Sequence, residues 1–166
     1  GLNNTLRYKN WRLNIFVTYS FGNKIRLDQV FSSSYSDMSA MPKEFKNRWV
    51  MPGDEKITTI PAIASVRQYY NDTYLSYAYN AYNYSTARVA DGGFIRLKDV
   101  SLTYDVPRSF LSKIGLSTAS LKLDATNLCL LYADDKLNGQ DPEFVNSGGV
   151  ATPLSKQFTL TVRLGL

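Results

Sequence analysis

Gln157-Phe158-Thr159-Leu160-Thr161-Val162-Arg163-Leu164-Gly165-Leu166 alternates without a break. Phe158, Leu160, Val162, Leu164 and Leu166 fall on one side, and Gln157, Thr159, Thr161, Arg163 and Gly165 on the other. Successive strand side chains point to opposite faces, so the stretch reads as a strand with one apolar and one polar wall. A tilted strand crosses a bilayer in about nine to eleven residues. Two readings follow: a strand of a soluble sheet, or a strand of a membrane barrel.

The same two-faced pattern recurs upstream. Leu2, Leu6 and Tyr8 oppose Asn3, Thr5 and Arg7, and Lys9-Asn10 reads as a short turn. The longest strand is predicted from Trp11 to Leu27. Trp11, Leu13, Ile15, Val17, Tyr19 and Phe21 share one face, and Arg12, Asn14, Thr18 and Ser20 the other, joined by Phe16. Trp11 stands at one end of this apolar band and Tyr19 and Phe21 at the other, as two interfacial aromatic girdles would require. In residues 93–106 the apolar positions switch parity between Lys98 and Val100. One extra residue restores a continuous face, which predicts a β-bulge near Lys98-Asp99. Ala119, Leu121, Leu123 and Ala125 oppose Ser120, Lys122, Asp124 and Thr126, with a further change of parity after Asn127.

The connections alternate in length: short at 9–10 and 107–116, long at 28–92 and 132–156. Short turns at one end and long loops at the other are the plan of an outer-membrane barrel. Within the first long connection, Ser32-Ser33-Ser34 and Ser36 mark a loop. Pro42 to Trp49 reads as a short helix, and Met51-Pro52-Gly53-Asp54 as a turn. Seven tyrosines fall between Pro61 and Tyr84, out of twelve in the 166 residues. Such aromatic content argues against plain disorder. Tyr69, Tyr70, Tyr74, Tyr77 and Tyr79, with Trp49, are the candidate contacts to a solute or to a covering partner; filling the loop's own small core is the alternative for the tyrosines.

Composition removes several function classes. There is no His, and Cys129 is the only Cys, so an internal disulfide, His/Cys metal sites and His-dependent nucleophilic catalysis are excluded. The net charge is +5, but Lys and Arg are scattered and form no basic tract, so no nucleic-acid partner is expected. Asp134, Asp135, Asn138, Asp141 and Glu143 lack EF-hand spacing and read as a solvated loop. Gly148-Gly149 lacks the Lys and helix of a phosphate loop. No enzyme signature, cofactor site or metal site is expected. Gly1 reads as an internal start.

Asp91-Gly92-Gly93-Phe94-Ile95-Arg96-Leu97-Lys98-Asp99-Val100-Ser101-Leu102-Thr103-Tyr104-Asp105-Val106-Pro107 resembles a segment of the C-terminal barrel of SusC/RagA-type TonB-dependent outer-membrane transporters from Bacteroidetes. Ser120 to Leu128, Gly139-Gln140-Asp141-Pro142-Glu143, Arg48-Trp49 and the Phe21-Gly22 turn fit the same family in order. The resemblance implies an all-β fold: an antiparallel, up-and-down transmembrane β-barrel segment of about five strands from a barrel of about 22, with two long extracellular loops. Residues 1–166 would be the C-terminal part of the barrel, without plug or TonB-contacting segment. The implied function is import of glycans or peptides across the bacterial outer membrane, with a SusD-like surface lipoprotein as lid and a periplasmic C-terminus. Partners would be the remaining strands and plug, that lipoprotein, TonB through the missing N-terminal part, and lipid. Trp11, Leu13, Ile15, Val17, Tyr19, Phe158, Leu160, Val162 and Leu164 would face lipid. Arg12, Asn14, Lys122, Asp124, Gln157 and Arg163 would face the lumen. The competing class is a soluble β-sandwich adhesin or carbohydrate-binding module, with Trp11, Val17, Leu160 and Val162 in its core.

Overall fold

The computed structural model describes residues 1–30, 42–113, 115–145, 153 and 155–166. The loop expected at Ser32–Ser36 and the Gly148-Gly149 pair lie outside the described residues. The chain divides into two compact units: residues 1–23, 92–134 and 140–166, and residues 24–91 with 135–139.

The first unit is one antiparallel sheet. Its strands are β1 (Leu2–Tyr8), β2 (Trp11–Ser20), β5 (Phe94–Asp105), β6 (Thr118–Ala133) and β7 (Gln157–Gly165), in that spatial order. Each strand lies beside the next strand of its sheet in the chain, which is the up-and-down arrangement expected. Among the described residues β1 and β7 each pair on one side only, so the sheet is open. Lys9 takes a left-handed backbone (φ 52°) in the β1–β2 turn. Asn10 seals that end: its Nδ2 donates to Asp105 O at 2.7 Å and its carbonyl accepts from Asp105 N at 2.9 Å. The β5–β6 connection contains a single helical turn, Arg108–Leu111.

The expected bulge is present. Phe16 pairs with Asp99 and Val17 with Leu97, so Lys98 is the extra residue of β5. It lets Ile95 and Leu97 share a face with Val100, Leu102 and Tyr104. The parity change after Asn127 does not end the strand. Asn127 adopts φ 53°, and β6 runs on to Ala133 with register shifts against β5. Leu128 and Leu130 are half-buried while Cys129 and Leu131 are exposed.

One other expectation is corrected. The strand predicted from Trp11 to Leu27 stops at Ser20. Gly22 turns with φ 89°, and Lys24–Arg26 (β3) pairs instead with Val89–Asp91 (β4) in a separate two-stranded sheet. Glycine adopts that conformation without steric penalty, which allows the change of partner. The tyrosine-rich stretch, whose aromatic content argues against plain disorder, is largely helical. Ser65 and Gln68 form a capping box at the start of α1 (Val66–Asn71), and α2 follows at Leu75–Tyr84. In the box the Ser65 backbone N–H donates to Gln68 Oε1 at 2.9 Å and Gln68 N–H to Ser65 Oγ at 3.3 Å. A one-turn 3₁₀ helix at Lys43–Asn47 fits the predicted Pro42–Trp49 element.

The second unit has its own small core. Val30 and Phe45 are buried, with Ile60, Tyr79 and Tyr82 packed against them. Arg88, 3% exposed, holds the unit together by donating to both Glu44 oxygens (2.7 and 2.8 Å) and to Asp28 O (2.6 Å). Burial alone would lower the Arg88 pKa; its hydrogen bonds and charge contact with Glu44 outweigh that and raise it.

Candidate functional site

Strand register collects the apolar residues of the first unit into one face. Leu6, Leu13, Leu102, Leu123 and Leu160 form a row across all five strands. Tyr8, Trp11, Tyr104, Leu121 and Val162 form the next row toward the short turns. Trp11 and Tyr104 are in ring contact, with centroids 4.6 Å apart. Near the opposite end Tyr19, Ile95 and Tyr132 align, and Phe21 contacts both tyrosines at 6.1 and 6.4 Å. Aliphatic residues and Phe158 fill most of the span between these aromatic groups. From Trp11 to Phe21 is about 33 Å along a strand, or about 25 Å in height at a tilt near 40°, which matches the apolar band of a membrane barrel.

This face is open to its surroundings. Leu6 is 57% exposed, Leu160 63% and Phe158 70%. Trp11, Tyr19, Val162 and Leu164 are exposed as well, while Leu13, Ile15 and Val17 are half-buried by their sheet neighbours. A β-sandwich would bury Trp11, Leu160 and Val162; their exposure removes the support for that reading. Soluble monomers rarely carry so large a continuous apolar patch. Among the described residues no helix is long and apolar enough to cross a membrane, a criterion that says nothing of strands.

The opposite face is polar. Arg7, Arg12, Thr103, Lys122 and Thr161 form one row; Thr5, Asn14, Ser101, Asp124 and Thr159 the next; Asn3, Phe16, Asp99, Thr126 and Gln157 a third. Thr5 Oγ1 donates to Asn14 Oδ1 at 2.9 Å. Arg12 lies 3.5 Å from Asp105, and Lys122 3.1 Å from Asp124. Arg163 pairs in register with Ser120, beside Arg108 and Asp105, on a cavity of about 310 Å³. The six residues expected at a lumen, Arg12, Asn14, Lys122, Asp124, Gln157 and Arg163, thus share one face.

The six aromatic candidates of the second unit divide. Tyr79 is half-buried: its hydroxyl donates to Ala62 O at 2.7 Å and accepts from Ala64 N–H at 2.8 Å. Tyr69 stacks on it, with centroids 6.2 Å apart and planes 14° from parallel. Trp49 Nε1 donates to Glu55 at 3.2 Å. Tyr70, Tyr74 and Tyr77 stand outward at 87%, 79% and 70% exposure, with Tyr74 and Tyr77 6.5 Å apart. The Glu55 carboxylate accepts from its own backbone N–H, Trp49 and Gly53, which hold it below the usual carboxylate range. Backbone N–H groups of Met51 and Val50 do the same for Asp54.

One constellation escaped the sequence reading. Arg96, on the polar face opposite Thr18, is 5% exposed. Its Nη2 donates to Asp141 Oδ2, and its Nε lies 3.1 Å from Glu143 Oε2. The arginine belongs to the Phe94-Ile95-Arg96-Leu97-Lys98 run and the carboxylates to Gly139-Gln140-Asp141-Pro142-Glu143. Asp141 and Glu143 therefore engage an arginine rather than solvent. Arg96 occupies an ordinary polar position of the alternating strand, and nothing in that alternation marks it as buried or identifies its partner.

An open up-and-down sheet with one girdled apolar face and one polar face defines a segment of a transmembrane β-barrel. No family model matches the chain. It is 32% identical over 143 residues to TonB-dependent receptor P3 of Formosa agariphila, covering 86% of this chain and 12% of the receptor. Against TonB-dependent receptor P26 of the same organism it is 30% identical over 159 residues, covering 89% and 13%. The chain thus spans about an eighth of the length of these curated relatives. Among solved structures it superposes on the RagAB peptide transporter with a TM-score of 0.60 at 24% identity, covering 93% of this chain and 16% of that one. The RagAB peptide importer in its open-open state gives 0.59 at 23%, covering 95% and 16%. The structural matches establish the barrel fold. The sequence relatives are TonB-dependent receptors, in keeping with the SusC/RagA-type resemblance of residues 91–107.

Proposed function

We propose that residues 1–166 are the C-terminal part of the barrel of an outer-membrane TonB-dependent importer of glycans or peptides. The observation that carries this reading is the open apolar face bounded by aromatic groups, backed by a polar face on the same strands. In lipid, unpaired edge groups cost several kcal/mol each, so β1 and β7 pair with further strands of the same barrel. Trp11, Leu13, Ile15, Val17, Tyr19, Phe158, Leu160, Val162 and Leu164 meet lipid. Arg12, Asn14, Lys122, Asp124, Gln157 and Arg163 line the lumen against a plug. The connections at 28–92 and 132–156 are extracellular, and the short turns and C-terminus periplasmic. TonB acts through the N-terminal part, and the chain itself catalyses no reaction.

A SusD-like lipoprotein covers the mouth. Within the first long connection, Tyr70, Tyr74 and Tyr77 are exposed and offer ring faces for sugar stacking or for that lid. Tyr69, Tyr79 and Trp49 support them from within the unit. The test of the barrel reading uses the full-length protein in nitroxide-lipid bilayers. A fluorophore on Leu160→Cys is expected to be quenched by lipid and one on Thr159→Cys spared. Equal quenching at both sites refutes the assignment of faces. Tyr74→Ala with Tyr77→Ala is expected to weaken substrate or lid affinity; no change in either removes the aromatic loop from the proposal.

A further inference from the structure

Arg96 is the most buried cation of the first unit, and it sits on a sheet face whose other charges are half-open. A guanidinium that far from water requires a carboxylate. That carboxylate comes from a segment folded back onto the polar face. Asp141 bonds Arg96 through Oδ2, while its Oδ1 accepts from Glu143 N–H at 3.1 Å and its carbonyl from Phe144 and Val145 N–H at 3.0 Å. Those bonds start a one-turn helix, Pro142–Val145, in which Pro142 is buried. Glu143 approaches Arg96 Nε at 3.1 Å but at an angle that leaves this buried N–H without a hydrogen bond. Asp141 is thus the firm fastening and Glu143 the loose one.

We propose that residues 140–145 form a strap on the lumen wall, fastened by Arg96, which narrows the passage at the long-connection end of the barrel. This rests on the barrel reading above, under which the polar face is the lumen. Irregular backbone at that depth is tolerated where it lines a cavity. Residues 140–145 of the second long connection therefore lie within the passage, and Arg96 is a positioning residue for them.

The test uses the full-length transporter in outer-membrane vesicles, with Cys129→Ser and a reporter thiol at Phe144→Cys. A bulky, membrane-impermeant maleimide is expected to label the parent slowly. It should label the Arg96→Ala and Asp141→Asn variants about ten-fold faster. The exchange Arg96→Asp with Asp141→Arg is expected to restore slow labelling, which a general loss of folding would not. Rapid labelling of the parent, or equal rates in parent and both single variants, overturns the strap. Absence of the heat-modifiable parent from the outer-membrane fraction overturns the barrel reading, and the strap with it.

Discussion

Arg96 and Asp141 are 45 residues apart in the chain and joined through Arg96 Nη2 and Asp141 Oδ2 with both side chains nearly buried. Removing one partner of a buried ion pair strands the other charge, at about 3–5 kcal/mol. Arg96→Ala in the full-length protein is expected to lower the urea midpoint accordingly. Arg96→Met with Asp141→Leu should recover much of the loss, because it leaves no buried charge unpaired; Glu143 stays open to solvent. Similar midpoints for the single and double variants would contradict the pairing.

The two faces of β7 differ in their tolerance of charge. Phe158 lies in register with Ala125, Val100 and Ile15, near the middle of the apolar band. Phe158→Arg is expected to cost about 2–4 kcal/mol in a bilayer, the cost of Arg at the midplane of a barrel's lipid face. Thr159→Arg, one residue away on the polar face, should cost far less. Equilibrium unfolding from lipid vesicles measures both.

Lys98 acts by its presence rather than by its side chain. Lys98→Ala keeps the bulge and is expected to insert normally. Deleting Lys98 forces β5 into strict alternation and turns Ile95 and Leu97 toward the polar face. The deletion variant should fail to accumulate as a heat-modifiable barrel.

Tyr79 and its exposed neighbours should separate experimentally. Tyr79→Phe strips a partner from Ala62 O and Ala64 N–H and is expected to destabilise the second unit by about 1–3 kcal/mol. Faster proteolysis between residues 42 and 91 reports this. Tyr74→Ala and Tyr77→Ala should leave proteolysis unchanged.

Acid should open the Trp49–Glu55 contact. The folded-state pKa of Glu55 is depressed, so its stabilising effect is present above the unfolded value and is lost as pH falls through the folded one. Trp49 emission in a variant lacking other tryptophans is expected to stay constant at neutral pH and shift only below the ordinary glutamate range, about pH 4. Glu55→Gln should abolish the shift.

Alternation by itself determined β1, β2, β5, the first part of β6, and β7, together with their faces and the bulge at Lys98. Each follows from a period of two that local chemistry enforces residue by residue. Glycine and asparagine positions were legible as breaks but not in their outcome. Gly22 sends the chain to a new strand partner, whereas Asn127 bends β6 without ending it, and only pairing with distant strands decides between those results. Ser65 and Gln68 carried a helix signal that the surrounding tyrosines obscured. The division of the tyrosines into supporting and exposed sets was set by packing against Val30, Phe45 and Ile60. Arg88 with Glu44, and Arg96 with Asp141, were likewise decided by tertiary structure. Neither arginine is marked as buried by the sequence, and which carboxylate reaches it depends on how intervening segments fold back.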